Sequence, residues 1–190
     1  MPKKPGRHYL AFVPSIAFEW ERALPFIAWS IVLYWSSDLL YAGSLFLCQS
    51  RAELDRHALR LLAIQLFSVA CFFLFPLRAT WVRPPLDGVP GWLFASLESF
   101  DQPFNQAPSL HVSLAVLLWP VYRRYVGWLG GAWFILMGLS AWTTWQHQFI
   151  DLPLGAWAGL LVLALVPEKR LAASRRPKLA AFYGLGALAL

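Results

Sequence analysis

The sequence predicts an all-α membrane protein, a polytopic helical bundle of five to six spans. Of its 190 residues, 58% are hydrophobic and only 14% are charged, whereas charged residues make up about a quarter of an average soluble domain. The mean hydropathy is +0.52 and 11 residues are tryptophan, a side chain that is enriched where a membrane meets water. The apolar residues fall in runs separated by basic or proline-rich stretches, which is typical of a chain that crosses a bilayer repeatedly.

Five apolar runs are the candidate spans. Residues 1–23 precede them as a mixed aromatic and polar segment, which we expect to lie at the membrane interface ahead of one transmembrane domain over 24–190. The last apolar stretch, 179–190, is shorter than the roughly 20 residues that a span needs, so a sixth span stays open. The candidate spans are 24–42, 59–77, 108–122, 126–146 and 149–167, with polar connections at 43–58 and 78–107 and a short interfacial helix expected at 92–100.

Charge and cysteine content exclude several classes of function. The net charge of +6 comes from basic residues clustered between apolar runs, which is typical of topology signals and lipid-headgroup contacts and not of nucleic-acid binding. Cys48 and Cys71 have no metal-ligand spacing and indicate no disulfide framework. No cleavable signal peptide is evident, because Glu19, Glu21 and Arg22 interrupt the first apolar stretch.

The basic residues also predict an orientation. If the spans alternate, ten of the 16 lysines and arginines lie on one side, and the positive-inside rule places that side in the cytoplasm. We therefore expect a multi-pass protein of a bacterial inner membrane whose other side faces the periplasm or exterior. The ten residues are Arg51, Arg56, Arg60, Arg123, Arg124, Lys169, Arg170, Arg175, Arg176 and Lys178.

Two histidines and an aspartate fall at the edges of apolar runs on the outer side. His147 and Asp151 are four residues apart, a spacing that on a helix places them on one face, one turn apart. A carboxylate there can hold one imidazole nitrogen as N–H and leave the other as a nucleophile or base. His111 opens the third run as a second proton-handling group. The pattern indicates attack on phosphorus or a carbonyl at a membrane surface, and the alternative is interfacial histidines that bind only backbone.

Three short motifs resemble those of the type 2 phosphatidic acid phosphatase superfamily. The family patterns are Lys-x6-Arg-Pro, Pro-Ser-Gly-His and Ser-Arg-x5-His-x3-Asp. The variants in this chain look closest to the branch of the inositol phosphorylceramide synthases and to bacterial membrane proteins in which such a domain precedes a dual-specificity phosphatase. The Cys-x5-Arg signature of that second domain does not occur in the sequence. The matching segments are Arg83-Pro84, Pro108 to His111, and Ser140 with His147 and Asp151.

The resemblance implies a role for each matching residue. His147 would attack phosphorus and form a phosphohistidine, and Asp151 would orient it. His111 would protonate the leaving alcohol and later help to activate the incoming water or alcohol, without a metal or other cofactor. The further residues expected to contact the substrate are Arg83, Arg78, Ser109, Gln106 and Ser140.

Two cationic positions of the family pattern differ in this chain. Ala141 stands where the family has arginine, and Pro76 stands where it has lysine. Arg78 is the nearest substitute for one of them. The candidate neutral donors are Gln102, Asn105, Gln106 and Gln146. A site with fewer cations favours a phosphodiester or a lipid monophosphate over a diphosphate.

The sequence therefore predicts a lipid phosphate phosphatase acting on a phosphomonoester such as phosphatidic acid, phosphatidylglycerophosphate or a polyprenyl phosphate. Two alternatives stay open. One is a phosphotransferase that moves a phospho-headgroup between lipids, and the other is a non-catalytic lipid-binding protein. The expected partners are the lipid substrate and the bilayer, with no nucleic acid, and the oligomeric state is left open.

Overall fold

The computed structural model describes residues 13–99, 101 and 105–167, and these residues form helices and connections without a strand. Short 3₁₀ turns at Glu19–Ala23, Ala28–Ser30 and Leu45–Leu47 lie before and after the first α-helix. The prediction of an all-helical protein is confirmed for this part of the chain. The α-helices are α1 (Ile31–Ser44), α2 (Arg51–Leu74), α3 (Gly88–Glu98), α4 (Leu110–Thr143) and α5 (Asp151–Leu165).

Three of the described stretches are long and apolar enough to cross a membrane, namely Ala28–Leu47, Arg51–Leu74 and Leu110–Thr143. Helix α5 is apolar but has only 15 residues, which corresponds to about 22 Å. Many large apolar side chains lie exposed on the outside of the bundle, among them Phe73, Trp128 and Ile135. A broad exposed apolar surface is typical of contact with lipid, so it agrees with the composition.

Helix α4 folds back on itself at Gly127. In a straight helix the 15 residues from Trp119 to Phe134 would span about 22 Å, yet their ring centroids lie 5.7 Å apart. Gly127 has φ 56° and ψ −153°, a conformation that is open to glycine and strained for other residues. The helix therefore consists of two antiparallel arms, 110–126 and 128–143. The sequence predicted two runs here and placed the turn slightly earlier, at Arg123 and Arg124.

The beginning of α2 differs from the prediction, which treated residues 43–58 as a connection and began the run at 59. Ser50 is the N-cap of this helix, with its hydroxyl accepting from the Glu53 N–H at 3.2 Å. The Glu53 carboxylate in turn accepts from the Gln49 N–H at 2.8 Å. This pattern is close to a capping box, except that the carboxylate bonds the residue before the N-cap and not the N-cap itself, and it lets the charged residues form the first turns of α2. A short helix is present where one was expected at 92–100, with α3 covering Gly88–Glu98, and the stretch 179–190 lies outside the described residues.

Backbone and side-chain bonds define two ends of the bundle. At one end, here called the His147 end, the Ile27 N–H donates to the Thr143 carbonyl at 2.9 Å. At the other, here called the Gly127 end, the Tyr122 hydroxyl donates to the Leu40 carbonyl at 2.8 Å. The core between them is built from α1, α2, α4 and α5. Its fully buried members include Leu61, Ile64, Leu117, Leu118, Met137 and Ala158.

The closest helix approach joins α4 to α5. A Cβ added at Gly155 would lie 2.4 Å from the Ser109 carbonyl oxygen, and one at Gly159 would lie 2.9 Å from that of Ser113. The Ser113 hydroxyl also donates to the Gly155 carbonyl at 2.8 Å. Glycines elsewhere in α4 do not have this role: a Cβ at Gly138 would meet nothing within 4 Å, and one at Gly131 would meet only the Trp119 ring.

Candidate active site

The loop between α4 and α5 carries a buried histidine–aspartate pair. His147 Nδ1 lies 3.3 Å from Asp151 Oδ2, and the same oxygen accepts from the Gln148 N–H at 3.0 Å. Because an ionised carboxylate only accepts hydrogen bonds, Nδ1 carries the proton in this pair. The other ring nitrogen, Nε2, then has a free lone pair. The distance is long for a hydrogen bond.

The backbone of this loop is tightly wound. The N–H groups of Gln146 and His147 both donate to the Ala141 carbonyl, at 3.1 and 2.9 Å. Trp145 has φ 56°, a left-handed conformation that is unusual for a bulky residue and costs on the order of 1–3 kcal/mol. Its ring lies 5.2 Å from that of Phe26 and 6.4 Å from that of Trp81. Aromatic packing thus holds a strained turn that presents His147.

His111 lies in the first turn of α4, beside α1. Its Nδ1 is 3.0 Å from the Ser37 hydroxyl, and its ring stacks on Tyr34 with centroids 4.0 Å apart and planes 6° apart. Ser37 donates its own proton to the Tyr34 carbonyl at 2.8 Å, so its oxygen accepts from His111 Nδ1–H. In the neutral ring, Nε2 is therefore the basic nitrogen. His111 lies near enough to His147 for the two rings to interact electrostatically.

Several buried polar atoms at the His147 end have no hydrogen-bond partner of good geometry. Buried polar groups in proteins are normally paired, and polar groups at membrane depth are costly. A concentration of unpaired atoms from two separate segments is typical of a site that binds a polar ligand. The atoms are Gln106 Oε1, His111 Nε2, Trp145 Nε1, Gln146 Nε2 and Asp151 Oδ1.

The two arginines expected to bind substrate have different surroundings. Arg83 donates to Glu98 Oε1 at 2.7 Å, and its guanidinium lies 5.0 Å from the centre of the Phe94 ring. It is close enough to Tyr34 to interact with it electrostatically, which places it at the edge of the His111 site. Arg78 instead donates from Nε to the Val13 carbonyl at 2.9 Å, so it holds the N-terminal segment.

Ser109, Gln106 and Ser140 are all buried at this end. The Ser109 hydroxyl is the N-cap of α4 and accepts from the Val112 N–H at 3.4 Å, while its N–H donates to the Asp151 carbonyl at 3.1 Å. Ser140 donates to the Met137 carbonyl at 2.5 Å, within its own helix. These two hydroxyls are thus occupied by backbone, whereas the Gln106 side chain keeps an unpaired oxygen.

Two residues that the sequence did not single out join the surrounding segments to the loop. The buried Glu21 carboxylate accepts from the Phe149 N–H at 2.8 Å and from Trp142 Nε1 at 3.2 Å. The Gln148 amide accepts from the Ile16 N–H at 3.1 Å and donates to Thr80 Oγ1 at 2.5 Å. Residues 13–23, expected as an interfacial lead-in, therefore pack directly on the His147 loop. In the sequence, the polar residues within this aromatic stretch were the only sign that it packs on the loop.

Among the described residues, no group of three or more histidine, cysteine or acidic side chains is arranged to hold a metal ion. Comparisons with protein-family models, with curated proteins and with solved structures gave no match.

Proposed function

We propose that this protein is an integral-membrane lipid phosphate phosphatase of the type 2 phosphatidic acid phosphatase superfamily, acting through a phosphohistidine at His147. The observation that carries the proposal is the convergence of two separate motifs: His147 and Asp151 form a buried pair, and the buried His111 lies near enough to interact electrostatically with His147. The convergence supports a reaction that needs a nucleophile and a proton donor together.

In the first step, His147 Nε2 attacks the phosphorus of a lipid phosphomonoester. The N–P bond forms as the bond from phosphorus to the lipid oxygen breaks, and the leaving oxygen takes a proton from His111 Nε2. The positive charge that develops on the His147 ring is stabilised by the Asp151 carboxylate at Nδ1. His111 begins this step as the imidazolium and ends it as the neutral ring. Ser37 holds the Nδ1–H throughout, so Nε2 is the atom that gives up the proton.

In the second step, His111 Nε2 takes a proton from water while the water oxygen attacks phosphorus. The N–P bond breaks, phosphate leaves, and His147 and His111 return to their initial states. The unpaired atoms of Gln146 and Trp145, both N–H donors, are suited to the phosphate oxygens. Arg83, at the edge of the site, is the candidate cation for the substrate once its bond to Glu98 is exchanged.

A headgroup transferase is the second candidate. It is favoured by the hydrogen bonds that already occupy the two arginines expected to bind substrate. Arg83 is already paired with Glu98 and Arg78 is bound to the Val13 carbonyl. A phosphodiester donor carries less negative charge than a phosphomonoester and needs fewer cations. In that reaction an alcohol, not water, would meet the phosphohistidine, and His111 would take its proton.

The substrate is proposed to be a lipid because the site lies at one end of a bundle with membrane-length apolar helices. A lipid can then enter sideways while its phosphate reaches His147. We further propose a bacterial inner membrane location with this end facing the periplasm or exterior, in agreement with the distribution of basic residues.

The test is phosphate release by detergent-purified protein from a panel of phosphatidic acid, phosphatidylglycerophosphate and polyprenyl phosphate. We expect release by the wild type and at least a 1000-fold loss in His147→Ala, because removal of a covalent nucleophile leaves little of the mechanism. Substrate labelled on phosphorus should transfer its label to the protein in a form stable to alkali and labile to acid, and His147→Ala should not be labelled.

The alternatives give different products. A new phosphodiester lipid, formed only with an alcohol acceptor and without free phosphate, would replace the phosphatase proposal with the transferase. A third outcome would contradict catalysis altogether: neither assay detects turnover of any substrate, and His147→Ala binds lipid as tightly as the wild type does. That result would indicate a lipid-binding protein.

A further inference from the structure

A buried carboxylate, that of Glu21, contacts the His147 loop and takes no part in the proposed reaction steps. Glu21 lies in the 3₁₀ turn Glu19–Ala23, ahead of the first membrane-length helix, and is 1% exposed. Acidic side chains are almost never fully buried unless they are paired. The groups that bind its two oxygens therefore indicate what Glu21 does.

One oxygen, Oε1, is bound within the turn itself. It accepts from the Phe18 N–H at 2.8 Å, while the Glu21 N–H donates to the Phe18 carbonyl at 3.0 Å. These two bonds tie the carboxylate to its own backbone. A side chain that is locked in this way presents its other oxygen in a fixed direction.

The other oxygen, Oε2, binds on both sides of the proposed nucleophile. It accepts from Trp142 Nε1 at 3.2 Å and from the Phe149 N–H at 2.8 Å. Trp142 lies five residues before His147, in the last turn of α4, and Phe149 lies two residues after it. A single oxygen from a distant segment therefore clamps the two ends of the loop together.

The clamp acts close to the groups that orient the His147 ring. The N–H groups at 146, 147 and 148 all donate within α4, the loop and α5, whereas that of Phe149 is held from outside. The residue before Phe149, Gln148, donates its N–H to Asp151 Oδ2, the oxygen that His147 Nδ1 faces. A shift of Phe149 would thus reach the Asp151 carboxylate through one peptide unit.

The loop also needs support from outside. Trp145 has φ 56°, and strained backbone conformations persist only where the surrounding structure holds them. The Trp20 ring lies 5.8 Å from that of Trp142 and 5.1 Å from that of Phe149, so the two residues that Glu21 binds share an aromatic neighbour. Without the carboxylate, both donors lose their acceptor, which is costly where water is scarce.

We propose that Glu21 is a positioning residue for His147: by holding Trp142 and Phe149 on one oxygen, its carboxylate fixes the direction in which Nε2 meets the substrate phosphorus. The inference rests on the proposed function, because it gives Glu21 a part in the same reaction. It also gives the segment before the first span a contribution to catalysis, beyond the interfacial position that the sequence indicated.

The first experiment measures steady-state phosphate release from the best lipid substrate. Glu21→Ala should lower kcat about 10- to 100-fold, because a misplacement of about 1 Å can cost 100-fold in rate. KM should change less than about threefold, since Glu21 does not contact the substrate. Glu21→Gln keeps an oxygen that can accept from both loop donors, so it should recover most of the lost rate.

Two further variants complete this series. Glu19→Ala is the matched control, because it removes an exposed glutamate of the same turn that is bonded to Arg22 and not to the loop, and it should retain full kcat. Trp142→Phe removes one of the two loop donors and keeps an aromatic ring, so kcat should fall about 2- to 13-fold. This variant serves where Glu21→Ala fails to fold.

The second experiment does not depend on turnover. In protein that carries isotope-labelled histidine, the ring resonances of His147 are identified by their loss in His147→Ala. We expect Glu21→Ala to shift or double these resonances and to leave unchanged those of His57, which lies in α2 beside Ser44. Glu19→Ala should change neither set.

The two experiments separate the failure of this inference from the failure of the proposed function. A wild type that releases no phosphate and forms no phosphohistidine would contradict the proposed function, and the resonances would still show whether Glu21 holds His147. Unchanged His147 resonances in Glu21→Ala overturn the inference. It is also overturned by an equal loss of kcat in Glu19→Ala, or by a Glu21→Gln protein that is no more active than Glu21→Ala.

Discussion

The hydrogen bond from His111 to Ser37 is the contact whose removal tests the proposed mechanism most sharply. Ser37 is buried in α1 and touches the reaction only through His111, whose Nδ1–H it accepts at 3.0 Å. Ser37→Ala leaves Nδ1 in a buried site without an acceptor and removes the bond that keeps the basic lone pair on Nε2. The neutral ring is then free to place its proton on Nε2, where it can no longer take a proton from water.

The magnitude follows from the kind of bond. A neutral hydrogen bond contributes about 0.5–1.5 kcal/mol net, and each 1.36 kcal/mol corresponds to tenfold in rate. We expect kcat to fall about 2- to 13-fold with KM unchanged, because Ser37 positions His111 and does not contact the substrate. His111→Ala should lower kcat more than Ser37→Ala does, since general acid–base catalysis contributes about 10²- to 10⁴-fold to the rate.

The assay is steady-state phosphate release from the best lipid substrate of the panel. Ser36→Ala is the control, because Ser36 is the adjacent residue and its hydroxyl also bonds a backbone carbonyl, that of Leu33, at 2.6 Å. In the background of His111→Ala, the additional change Ser37→Ala should have no further effect on kcat. An equal loss from Ser36→Ala, or the same further loss in the background of His111→Ala, would refute a role for Ser37 through His111.

Two further substitutions test the site and its support. Asp151→Asn keeps an oxygen for the His147 and Gln148 N–H groups but loses the charge, so we expect kcat to fall about 10- to 100-fold with the unfolding temperature nearly unchanged. An equivalent loss of folded protein would point to a structural role instead. Gly155→Ala places a Cβ 2.4 Å from the Ser109 carbonyl and forces α5 away from α4, which should lower kcat about 100-fold. Gly138→Ala, whose Cβ meets nothing within 4 Å, should retain full activity, and a loss there would contradict the packing explanation.

Local signals were sufficient to predict most helices and the central pair of the candidate site. The two side chains of that pair do lie together, but the expected reason was wrong: His147 lies in the loop before α5 and Asp151 is the first residue of that helix, so they do not share one face of a helix. The boundary error at α2 had a physical cause, because charged residues were counted as a connection although Ser50 and Glu53 cap a helix there. The turn at Gly127 could be located only to within a few residues, since several positions near it are polar or small.

Contacts between distant segments could not be predicted in the same way. Nothing local indicates that Arg78 binds the Val13 carbonyl, or that Ser37 in an apolar helix holds His111, 74 residues away. Such pairs depend on which helix faces which, and helix packing is decided by the shapes of many side chains together. The sequence could therefore suggest Arg78 and Arg83 as substrate-binding residues, but it could not show that they bind Val13 and Glu98 in the structure.

The hydrogen bonds around His147 are buried, whereas the bond between Arg83 and Glu98 is partly exposed. This difference fits the proposed roles of His147 as nucleophile and of Arg83 as a phosphate-binding residue. Around His147, the bonds come from buried groups: Glu21 is 1% exposed and Gln148 is 1% exposed, and each joins the loop to a distant segment. At the edge, the bond from Arg83 to Glu98 joins side chains that are 19% and 45% exposed, and solvent-exposed ion pairs contribute only about 0–1 kcal/mol. In the proposed reaction, exchange of Glu98 for a substrate phosphate at Arg83 would therefore disturb the structure less than a movement of His147.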